Sequence, residues 1–65
     1  MEPREAVEKL KQIRRWYEMG GISMKMANSM GEVYVNSLNK YYTEKAKQYG
    51  VGGVKIRNNV KFWPY

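Results

Sequence analysis

Four side chains, Asn36, Lys40, Thr43 and Lys47, recur at spacings of four, three and four residues. On a helix, at about 100° per residue, they form one stripe of cationic and hydrogen-bonding groups. Such a stripe suits a polyanion: ammonium groups meet phosphates, while an amide and a hydroxyl give direction. A second basic set, Lys55, Arg57 and Lys61, lies in the C-terminal segment. The groups for other chemistry are missing. The chain has no Cys and no His, and all six of its acidic residues are Glu. Without thiol or imidazole, the usual nucleophile, general base and zinc ligands are absent. The expectation is a binding protein and not an enzyme, with no cofactor, no metal and no small-molecule substrate.

The charge is unevenly spread. Twelve basic residues face six acidic ones, for a net charge of +6. Residues 1–21 hold five basic and four acidic residues. Residues 22–65 hold seven basic (25, 40, 45, 47, 55, 57, 61) and two acidic (32, 44). An excess of one sign on particular elements is the footprint of a polyanion-binding surface. The plainer alternative is a solvated face that keeps the chain soluble.

Sixty-five residues leave room for one small basic domain, 1–65, with a thin core. At 43% hydrophobic and 14% aromatic, the chain is too apolar for a disordered basic tail. No apolar run approaches the ~18 residues of a membrane span. The start, Met1-Glu2-Pro3-Arg4-Glu5, is charged and unlike a signal peptide. The expected setting is intracellular, cytoplasmic or nucleoid-associated, with no membrane partner.

The elements that position these groups follow from periodicity. A helix is predicted over 3–19. Pro3 suits its first turn, and Ala6, Leu10, Ile13 and Tyr17 make an apolar stripe. Glu5–Lys9 and Arg14–Glu18 are opposite charges four residues apart. Gly20 and Gly21 supply a stop. A short helix is predicted over 22–29. Ser29 and Glu32 match a capping box that starts a further helix over 32–49. One uninterrupted helix from Ser23 to Tyr49 is the competing reading. The core side of the third helix is Val35, Leu38, Tyr42, Ala46 and Tyr49, opposite the basic stripe. A β-hairpin is predicted over 54–63, with Arg57 to Asn59 as a three-residue loop. That register pairs Ile56 with Val60 and sets Lys55 against Lys61, separating an apolar face from a basic one. Trp63-Pro64-Tyr65 is expected to dock on the helices or across a dimer. The predicted class is therefore α+β: three helices followed by a C-terminal hairpin.

The stretch Lys25-Met26-Ala27 through Met30-Gly31, then Val33-Tyr34 and Leu38-Asn39-Lys40, resembles the helix-turn-helix of phage Cro-type repressors. Glu32 departs from that pattern, standing where the family has an apolar residue. The resemblance implies a small winged helix-turn-helix-like domain. It also implies a transcriptional regulator that binds duplex DNA as a homodimer, with the 32–49 helix as the recognition helix. Asn36 then pairs with adenine and Lys40 with guanine. Thr43 and Lys47 meet phosphates, and Lys55, Arg57 and Lys61 form a wing. Two alternatives stand beside it. One is a non-specific nucleic-acid or ribonucleoprotein-binding protein, for which charge and aromatic residues suffice. The other is a helical protein–protein interaction module.

Overall fold

A computed structural model describes residues 1–50 and 55–65. Helix α1 runs over Pro3–Glu18 and helix α2 over Met24–Tyr49. The described C-terminal residues form an extended tail with one 3₁₀ turn, Val60–Phe62.

Pro3 opens α1, where a missing N–H is harmless. Ala6, Leu10 and Ile13 are buried along one side. The helix stops where Gly20 takes φ +80°, a left-handed conformation that favours glycine. Of the two expected ion pairs, Arg14–Glu18 forms at 2.9 Å, whereas Glu5 and Lys9 do not pair. Five residues later the chain enters α2. Ser23 caps it, its Oγ accepting from the Met26 N–H at 3.1 Å. Gly50, at φ +68°, closes the other end.

A short connection makes the helices antiparallel neighbours. Their level is fixed near Gly31: a Cβ built there lies 3.2 Å from Leu10 Cδ2. The helices differ in length, about 24 Å for α1 and about 39 Å for α2. The last turns of α2, from about residue 39, therefore project beyond the start of α1. The longest dimension of the molecule, 41 Å, is essentially α2 itself.

Two packed helices leave a groove on each side. The tail fills one of them with Ile56, Val60 and Trp63, all buried. Trp63 packs against α2 at Gly31, so close that a Cβ there falls 2.5 Å from its Cζ2. Helix side chains satisfy the tail's main chain. Asn39 accepts from the Ile56 N–H at 2.7 Å and donates to its carbonyl at 3.0 Å. Asn28 accepts from the Val60 N–H at 2.7 Å. Arg14 Nη1 donates to Tyr65 O at 3.0 Å and also to the Trp63 carbonyl. The Tyr42 and Tyr65 hydroxyls share a hydrogen bond of 3.1 Å. One buried donor, Trp63 Nε1, has no partner among the described residues.

The fold differs from expectation at three places. First, the helices predicted over 22–29 and 32–49 are one helix. Ser29 caps nothing, and Gly31 sits in its interior. The helix-turn-helix implied by the Cro-type resemblance is therefore absent. The physical reason is Trp63. Its ring needs a helix surface without a side chain, and burying it offsets the roughly 1 kcal/mol that glycine costs in a helix. Second, the described part of 54–63 forms no strand, so there is no hairpin and no winged domain; Val54 lies outside the described residues. An isolated two-stranded hairpin is marginal in water. Here the amides of Asn28 and Asn39 serve the peptide groups that a second strand would have served. The class is helical: two helices and a packed tail. Third, Tyr49 is 70% exposed and not part of the core, because α2 has outrun α1 by that point.

Candidate nucleic-acid interface

The unbroken helix carries the basic stripe on the side away from α1. Asn36, Lys40 and Lys47 are exposed and Thr43 is half-buried. Continuity of α2 brings two earlier residues into phase with them. Lys25 and Ser29, both exposed, share the outer face with Asn36. From Lys25 to Lys47 the stripe runs about 33 Å. Glu32 interrupts it near one end.

Lys40, Thr43, Lys45 and Lys47 lie on the projecting turns of α2. Lys45 Nζ stands 5.6 Å from the centroid of the Tyr41 ring, a cation–π arrangement. With no α1 alongside, these turns expose Lys40, Tyr41, Glu44, Lys45 and Lys47, although Ala46 is buried and Tyr42 and Thr43 are half-buried. The major groove of duplex DNA is wide enough to admit an α-helix.

Lys55, Arg57 and Lys61 are also exposed, on the tail and not on a hairpin. The Asn39 clamp on Ile56 holds Lys55 and Arg57 beside the middle of α2. Arg57 lies over the Phe62 ring, 5.1 Å from its centroid. Phe62 itself is 55% exposed. Around them is a shallow depression of ≈ 330 Å³ lined by Lys55, Ile56, Arg57, Phe62 and Pro64. Lys61 is set apart. It follows Val60, which is tied to Asn28, and Asn28 precedes Asn39 by eleven residues, or about 16 Å of helix. The seven predicted residues thus form a stripe of four, a neighbouring pair and one outlier.

Charge pairing sharpens the picture. Among the described residues, ion pairs form only in α1, Glu8–Lys11 and Arg14–Glu18. Lys25, Lys40, Lys45, Lys47, Lys55, Arg57 and Lys61 form no ion pair there, although Glu44 lies four residues from Lys40 and three from Lys47 on α2. Sequence reasoning left Lys25 and Lys45 out of the site. A single phase carried through 23–49 finds Lys25. Lys45 lies on the core phase and becomes available only because α2 overhangs α1.

Tyr65 is the titratable group that burial moves most clearly. Desolvation, then its hydrogen bond with Tyr42, pushes the hydroxyl well above its ordinary value of 10.0. Among the described residues no cluster of side chains could hold a metal ion, and no helix is long and apolar enough to cross a membrane. Comparison with known protein families, with curated proteins and with solved structures returns no match.

Proposed function

We propose that the chain binds duplex DNA through its phosphates, using the outer face of α2, the projecting turns and the basic tail. The observation that carries this reading is that all seven cations of α2 and the described tail lack a carboxylate partner among the described residues, in a region with only two acidic residues. Unpaired surface cations release condensed counterions when they meet a phosphate backbone, and that release drives binding. Asn36 and Thr43 add directional hydrogen bonds within the same stripe. With α2 unbroken, the reading rests on charge and on the projecting helix, and not on a recognition helix set by a turn. An intracellular, nucleoid-associated location goes with it.

The test is a salt titration of binding to a random duplex pool, with the retained fraction sequenced. Contact with about five phosphates predicts a slope of log K against log salt near −4.5. Changing Lys40 and Lys47 to Glu should reduce that slope by about 2, with unchanged helicity. Enrichment of one palindromic site would add a regulator's specificity to the reading. Preference for single strands or RNA would move the ligand class, and no retention at low salt would end the reading.

A further inference from the structure

The helix pair has two grooves and the tail fills only one. The other is open, a groove of ≈ 340 Å³ lined by Lys9, Gln12, Ile13, Trp16, Met30 and Tyr34. Along its rim α2 carries Met26, Met30, Val33, Ser37 and Tyr41, at spacings of four, three, four and four. These five residues make a helical seam spanning sixteen positions, and none of the five is charged. Its apolar members are unusually open: Met26 52%, Met30 39%, Val33 63% and Tyr41 37%, with Trp16 of α1 at 40%. We propose that this seam is the interface of a two-fold homodimer, in which α2 packs antiparallel to α2 of a second copy and the open groove closes.

Three features select a second copy of this chain as the occupant. The first is self-complementarity, which a two-fold interface requires. A two-fold axis between Val33 and Tyr34 sets Met30 against the partner's Ser37, large against small. It sets Met26 against the partner's Tyr41, a sulfur–aromatic pairing. Val33 meets its own equivalent. The second is charge. With Leu10 level with Gly31, Glu5 sits level with about residue 36 of α2 and Lys9 with about residue 32. The axis brings those levels together, so Glu5 faces the partner's Lys9, twice. Neither is engaged in an ion pair in the single chain, although they lie four apart on α1. The third is area. The five exposed apolar side chains present about 500 Å², and a standard interface takes about 800 Å² per partner with roughly 60% of it apolar. The polar flank, including Lys9, Gln12 and Ser37, supplies the remainder. The product is an antiparallel four-helix arrangement. Both tails and both basic stripes stay outside it.

Sedimentation of the full chain, without nucleic acid, from about 1 to 500 μM tests this. The expected species has twice the 7.7 kDa mass of the chain. Val33→Glu and Met30→Glu lie on the solvent side of α2 and should keep the wild-type helicity. Each should weaken association at least tenfold. Glu5→Lys alone should weaken it as well, and the swap Glu5→Lys with Lys9→Glu should recover it. A wild-type chain that stays at 7.7 kDa throughout the range overturns the proposal. So does a dimer that persists in folded Val33→Glu and Met30→Glu.

Discussion

Gly31→Ala should destabilise the protein, although alanine is the better helix former. The added Cβ lies 2.5 Å from Trp63 Cζ2, closer still to Cη2, and 3.2 Å from Leu10 Cδ2. Ordinary contact begins near 3.4 Å, so the indole must move by about 1 Å. It has nowhere easy to go. Trp63 is 2% exposed, and its main chain is held by Arg14. Two limits bracket the cost. Strain with the ring in place costs about 1–3 kcal/mol, and expulsion of the ring about 3–5 kcal/mol. Helix propensity returns about 1 kcal/mol. The net expectation, where the two limits meet, is a loss of about 2 kcal/mol, or a melting temperature lower by about 10 °C in a domain this small. Urea unfolding followed by circular dichroism reads it. In a Trp63→Leu background the sign should reverse, because the smaller side chain leaves room for the methyl group. A Gly31→Ala protein as stable as the parent would refute the role given to this glycine.

Other perturbations test the rest of the fold. Asn39→Leu removes both hydrogen bonds to Ile56 and should cost about 2–4 kcal/mol in urea unfolding, since each buried peptide group left unpaired costs about 1–3 kcal/mol. Ser23→Ala should cost about 1 kcal/mol by the same measurement, and Ser29→Ala almost nothing, because Ser23 is the cap. Tyr65 predicts an alkaline dependence. Its folded form holds the proton above the ordinary value of 10.0, so above that pH the unfolded chain binds fewer protons and stability falls as pH rises. In Tyr65→Phe that fall should be shallower, as seen in urea midpoints between pH 9 and 11.

Helix α1 was legible because its signals are local. Pro3, the Ala6–Leu10–Ile13 stripe and Gly20 act within a few residues of themselves. The 22–49 region misled because two local signals pointed to a break: Gly31, and the Ser29–Glu32 match to a capping box. Both were overruled by Trp63, thirty-two residues away from Gly31 in sequence. The tail misled for a related reason. Ile56 and Val60 fit paired strands, but their peptide groups are claimed by Asn28 and Asn39. A signal for that was available: the two amides lie eleven residues apart, hence on one side of a helix, next to the core stripe. The basic stripe was legible as a stripe. Its extension to Lys25, and the freedom of Lys45, depend on relative helix lengths that no local pattern encodes.

The clamps on the tail join residues far apart along the chain, and that sets an order of events in time. Asn28 and Val60 are 32 residues apart, and Arg14 and Tyr65 are 51 apart. Closing a loop of the first size costs about 1.5 kcal/mol more than closing the five-residue connection between the helices. The helix pair should therefore assemble early and the tail should seat late. In the interval both grooves are bare, and the transient species is the stickiest state the chain passes through. Substitutions at Leu10 or Leu38 should then slow folding, whereas those at Trp63 or Asn39 should chiefly hasten unfolding. On this order, the lifetime of the native state should follow the rate at which the Trp63 ring leaves Gly31.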